Sequence, residues 1–112
     1  MFKISQTPSY TWPVTIDQPG DGGRTIQHSF DAVFKRVTQT EVDEMRRAIE
    51  AEELKNADMV RQVMVGWSGV EDADGPVPFS QEALTKLLEV PMVAGSIVLA
   101  LLHSLSGAKR KN

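Results

Sequence analysis

The chain is expected to fold as an α+β protein, mainly α, with an N-terminal β-hairpin packed on a bundle of about four short helices. Three observations carry this. Apolar residues alternate with polar ones up to Phe30, the period of a half-buried strand. After Thr38 the apolar spacing changes to three and four, the period of an amphipathic helix. Between the two alternating runs lies Pro19-Gly20-Asp21-Gly22-Gly23, where glycines permit positive φ and proline fixes the entrance.

In chain order, residues 1–10 read as a loose lead. Trp12, Val14 and Ile16 form the first alternating run, with Pro13 marking an edge strand or its first residues. Ile26, His28 and Phe30 form the second run, so the pair reads as a hairpin with a long loop. A helical turn could begin at Phe30, because Phe30, Val33, Phe34 and Val37 shift to spacings of three and four. Thr38 and Glu41 have the form of a capping box, which opens a helix to about Lys55 with Val42, Met45, Ile49 and Leu54 on one face. Asp43 and Arg47 stand in the favourable acid-first i,i+4 order. Asn56 or Asp58 can cap a second helix carrying Met59, Val60, Val63, Met64 and Trp67, ended by Gly66 and Gly69. Ser80 caps a third, with Leu84, Leu87 and Leu88 inward. Val90-Pro91 breaks it, and Pro91 is suited to begin a fourth helix over residues 92–105. Residues 107–112 form a short basic tail.

The 112 residues suffice for one domain and are too few for two independent cores. A compact chain of this length has a radius of gyration near ~13 Å. At 41% apolar residues a packed core is expected. The net charge of −3, with both signs interspersed, argues against nucleic-acid binding, which needs a basic stripe. With no cysteine, disulfides, thiol catalysis and Cys-type zinc sites are excluded. The start lacks the apolar core of a secretory signal, and the longest apolar run is about half the ~20 residues of a membrane span. No membrane partner is expected, and the composition fits a cytoplasmic protein.

No catalytic, cofactor-binding or metal site is expected. Glu71, Asp72 and Asp74 with Gly75 suggest calcium, but placing Gly75 sixth in an EF-hand template puts Val70 first and Gln81 twelfth, so both end ligands are missing. These acids read as a solvated turn. His28 and His103 read as ordinary half-buried histidines, and no phosphate-binding loop follows the glycines. Met59 and Met64 read as core; Met92 is open between core and groove. The fourth helix is apolar nearly all round, so either it is central or one face meets another chain. Met92, Val98, Leu101, Leu102 and Leu105 are the candidate partner-binding residues there, with weak self-association expected. Between the second and third helices, Trp67 and Phe79 bracket the Gly75 turn and are expected to anchor that loop on the core.

Several segments together resemble the tail assembly chaperone family of lambda-like long-tailed (siphovirus-type) bacteriophages and prophages. They are Y-T-W-P-V with the P-G-D-G-G turn, T-I-Q-H-S-F-D-A-V-F-K-R-V, the V-G-W-S-G-V-E-D-A-D-G-P-V-P-F-S loop and the L-L-E-V-P break, covering about residues 8–104. The resemblance implies a non-enzymatic chaperone that binds the tape measure protein, keeps it soluble, and helps tail tube protein polymerise around it. It also implies action in the host cytoplasm, absence from the mature virion, spiral self-assembly, and a longer frameshifted form in many members. A small structural or adaptor virion protein, such as a tail completion factor, is the alternative; an enzyme subunit completed by another chain is a further one.

Overall fold

The computed structural model describes residues 1–107; the basic residues of the tail, Lys109, Arg110 and Lys111, lie outside them. Strand β1 (Ser9–Pro19) and strand β2 (Thr25–Lys35) form an antiparallel hairpin with Ser9 opposite Lys35 and Pro19 opposite Thr25. The turn between them needs left-handed backbone at Gly22 (φ 70°) and Gly23 (φ 79°), which glycine adopts without a Cβ clash. Helices α1 (Gln39–Glu50) and α2 (Asn56–Val63) follow, then strand β3 (Met64–Ser68), the two-residue strands β4 (Glu71–Asp72) and β5 (Gly75–Pro76), and helices α3 (Gln81–Leu88) and α4 (Val93–Leu105). The main sheet has the order β1-β2-β3, and β4 with β5 forms a separate small hairpin.

The α+β class stands, with the N-terminal hairpin and four helices in place. The β content is larger than the periodicity indicated. Strand β1 already begins at Ser9, within the stretch read as a loose lead. No helical turn forms at Phe30; β2 runs on to Lys35. Phe30, Ala32 and Phe34 all face the core at period 2, and the small Ala32 hid that alternation between two phenylalanines.

The second correction is β3. Met64 and Trp67 are three residues apart and looked like one helical stripe, yet α2 ends at Val63. Phe34 pairs with Met64 and Val33 with Gly66, so Val65 is an extra residue on β3. Such a bulge inserts one residue and shifts the alternation by one. Met64 and Trp67 therefore both sit opposite core-facing residues of β2, Phe34 and Ala32.

One face of the sheet carries the core. Val14, Phe34 and Ala32 are fully buried there, against Met59 and Val60 of α2, Leu84 of α3, and Ile97 and Leu101 of α4. Helix α4 packs across β1 and α2. Its far end is fixed by the Tyr10 hydroxyl, 2.8 Å from Ser104 Oγ. Tyr10 also meets Phe34 edge-to-face at 5.9 Å, under the Arg36 guanidinium at 4.8 Å. The radius of gyration, 14.9 Å, exceeds the compact expectation because the molecule is elongated at 47 × 31 × 31 Å. Eleven residues make each hairpin strand ~36 Å long, and residues 21–29 are exposed.

The caps show which local signals governed. The Thr38 hydroxyl accepts from Glu41 N at 3.1 Å, and Glu41 Oε1 accepts from Thr38 N at 3.1 Å, completing the capping box. The bond from the Thr38 backbone N–H holds the Glu41 carboxyl below its ordinary pKa. Helix α1 stops at Glu50, short of Lys55, and Glu52 is left-handed at φ 58°. Asp43 accepts from Gln39, not Arg47; Arg47 instead bonds Glu44 at 2.6 Å and Glu53 at 3.1 Å. Neither Asn56 nor Asp58 caps α2, whose N-cap is Lys55 without a side-chain bond. Pro91 does not begin α4: Met92 is its N-cap, with φ 73°, and Val93 is the first helical residue.

Candidate partner-binding surface

The loop from Trp67 to Ser80 closes on itself through local bonds. The Trp67 indole N–H donates to the Val77 carbonyl at 2.7 Å, and Val77 N donates to the Val70 carbonyl at 2.9 Å. Trp67 meets Phe79 edge-to-face, ring centroids 4.9 Å apart at 79°. At the tip, Asp72 Oδ1 accepts from Asp74 N at 2.8 Å, and Gly75 takes φ 116°, which a side chain resists. Asp72 thus has a turn-forming role, and among the described residues no group of three or more His, Cys, Asp or Glu could hold a metal ion. Ser80 Oγ accepts from Ala83 N at 3.0 Å and caps α3.

Closing the loop leaves an open groove of about 570 Å³ between the β4–β5 hairpin and α3. Its half-buried lining is apolar: Trp67, Val70, Val77, Phe79, Ala83 and Leu87. Its exposed lining carries Glu71, Asp72 and Glu82 against the single Lys86, together with Pro78 and Ser80, and Val90 is 37% exposed at its edge. Such a surface suits apolar side chains flanked by positive charge. Periodicity could not reveal it, because a strand residue, an irregular loop and a helix share no single period and meet there only after the loop folds back. The bracketing aromatics and the Ser80 cap were the visible signals.

The five candidate residues of α4 do not form one surface. Val98 (6% exposed) and Leu101 (0%) are buried in the core of the single chain. Leu102 and Leu105 are half-buried against that core, while Met92 is 57% exposed beyond the helix start. The helix is largely central: β1, α2 and α3 cover most of it, leaving Gly95, Leu99 and His103 exposed. Leu99 is 55% exposed, a position the sequence could not single out, since a helix apolar on nearly all sides carries no facial signal. Met59 and Met64 are in the core, at 0% and 1% exposure. His28 and His103 are both exposed, not half-buried, and lie on the hairpin arm and on α4. No single helix among the described residues is long and apolar enough to cross a membrane.

A family model described as phage tail assembly chaperone matches residues 1–112. No curated protein and no solved structure matches the chain.

Proposed function

The chain belongs to the phage tail assembly chaperone family, and from that premise we propose that it is a non-enzymatic chaperone of the tape measure protein. In this reading it keeps that long helical polypeptide soluble and promotes tail tube polymerisation around it. It acts in the host cytoplasm and leaves before the virion matures. The observation that supports the reading is the acid-rimmed apolar groove between the β4–β5 hairpin and α3. A folded chain normally fills a hollow lined by two aromatic rings; one left open suits a client supplied by another protein. The excess of acids on its rim favours client segments in which lysine or arginine flanks apolar residues.

Co-expression tests this directly. The cognate tape measure protein should have a higher soluble yield with this chain than without it. Ala83→Gln should reduce that gain. It places polar bulk in the groove, yet completes the Ser80 capping box and so preserves α3. A tape measure protein equally soluble and equally assembled without this chain refutes the proposal, and retention of the chain in purified virions supports a structural or adaptor role instead.

A further inference from the structure

We infer that, in the protein without its client, residues 2–4 of a second copy fill the groove beside α3. Phe2 is 86% exposed and Ile4 95%, far above the other apolar residues of the folded body. The chain is pinned just after them. Arg36 N donates to the Pro8 carbonyl at 2.9 Å, and the Arg36 guanidinium lies 3.4 Å from Thr7 Oγ1. Residues 1–6 project ahead of that pin, and six residues reach ~20 Å. In the single copy the segment bends at Ile4 and Ser5, and Gln6 Nε2 donates to the Lys3 carbonyl at 2.7 Å; drawn out as an extended chain on docking, it would place Phe2 and Ile4 on one side and Lys3 on the other.

That pattern complements the groove. Its apolar lining can take Phe2 and Ile4, with the Trp67 and Phe79 rings offering an aromatic wall to Phe2. Lys3 would then lie along the rim, where Glu71, Asp72 and Glu82 outnumber Lys86. The exposure of Phe2 and Ile4 shows that they do not occupy the groove of their own copy. The segment and the groove are different surfaces, so copies can join head to tail in an open series or exchange their segments reciprocally in a two-fold dimer. The self-contact stands independently of the client; only the consequence that a client displaces the segment rests on the function proposed above.

The test is sedimentation of the full chain over a wide concentration range. The wild-type protein should form concentration-dependent oligomers. The double variant Phe2→Ser, Ile4→Ser should associate at least about ten-fold more weakly with an unchanged melting temperature, because both side chains are already exposed. Lys3→Glu should weaken association, and adding Glu82→Lys should restore it. A photo-crosslinking benzoylphenylalanine at position 2, in a mixture of isotopically light and heavy chains, should join light to heavy at Ala83, Leu87 or Val90. A wild-type monomer at every concentration, association unchanged in the double variant, or crosslinks confined to one copy or to another face overturns the inference. Self-association that fits while the tape measure protein gains no solubility refutes the client reading and leaves this contact standing.

Discussion

Trp67→Ala should destabilise the fold by about 3–4 kcal/mol. A tryptophan buries up to ~250 Å², and Trp67 is half-buried. About two-thirds of that area at ~25 cal/mol per Å² gives ~4 kcal/mol, of which the alanine methyl keeps ~1. Losing the edge-to-face contact with Phe79, at 4.9 Å, adds ~1 kcal/mol. The bond to the Val77 carbonyl adds little, because that loop carbonyl can turn to water once the indole is gone. For a chain of this size the loss corresponds to a fall in melting temperature of roughly 12–16 °C. Urea unfolding followed by far-ultraviolet circular dichroism measures it. Trp67→Phe, which keeps most of the ring and gives up ~40 Å² of apolar area, should cost only ~1 kcal/mol. A cycle with Phe79→Ala should return a coupling of ~1 kcal/mol. If Trp67→Ala moved stability by less than ~0.5 kcal/mol, as surface substitutions do, the loop would not be held by its aromatic pair and the groove would have no fixed wall.

Thr38→Ala should cost ~1 kcal/mol by removing the cap of α1, read from thermal unfolding. The Glu41 carboxyl has a folded-state pKa below its ordinary 4.5, so its contribution is present above that value and is lost as pH falls through the folded one. The melting temperature should therefore fall more between pH 6 and pH 3 in the wild type than in Glu41→Gln, with the remainder shared by Glu44, whose carboxyl is lowered by its bond from Arg47. Met92→Gly should leave stability unchanged or raise it by up to ~1 kcal/mol, since the left-handed backbone favours glycine and the side chain is largely exposed. Leu101→Glu should prevent folding, as an unpaired charge in the core costs several kcal/mol, whereas Leu99→Glu should stay within about 0.5 kcal/mol on chemical denaturation.

What could be read from the sequence was whatever neighbouring residues settle among themselves. The hairpin turn at Gly22-Gly23, the Thr38–Glu41 capping box, the Ser80 cap and the helix break before Pro91 each depend on backbone sterics or on a bond spanning a few residues. All four appear where the chain announces them, and the segments that resemble the family are built around the same punctuation. The tertiary structure decided which side of an element is covered, because burial is a property of what lies opposite. Val65 became a bulge only by pairing with β2, and that turned an apparent helical stripe into a strand. In the same way α4, apolar on almost every side, had its exposed face chosen by where β1, α2 and α3 stood, which hid Val98 and Leu101 and left Leu99 bare. The groove is the furthest case: its lining lies within residues 67–90, yet a strand residue, a loop and a helix enclose a hollow only once the loop folds back against the helix, because what lies opposite each side chain is set by that closure and not by its neighbours in the chain.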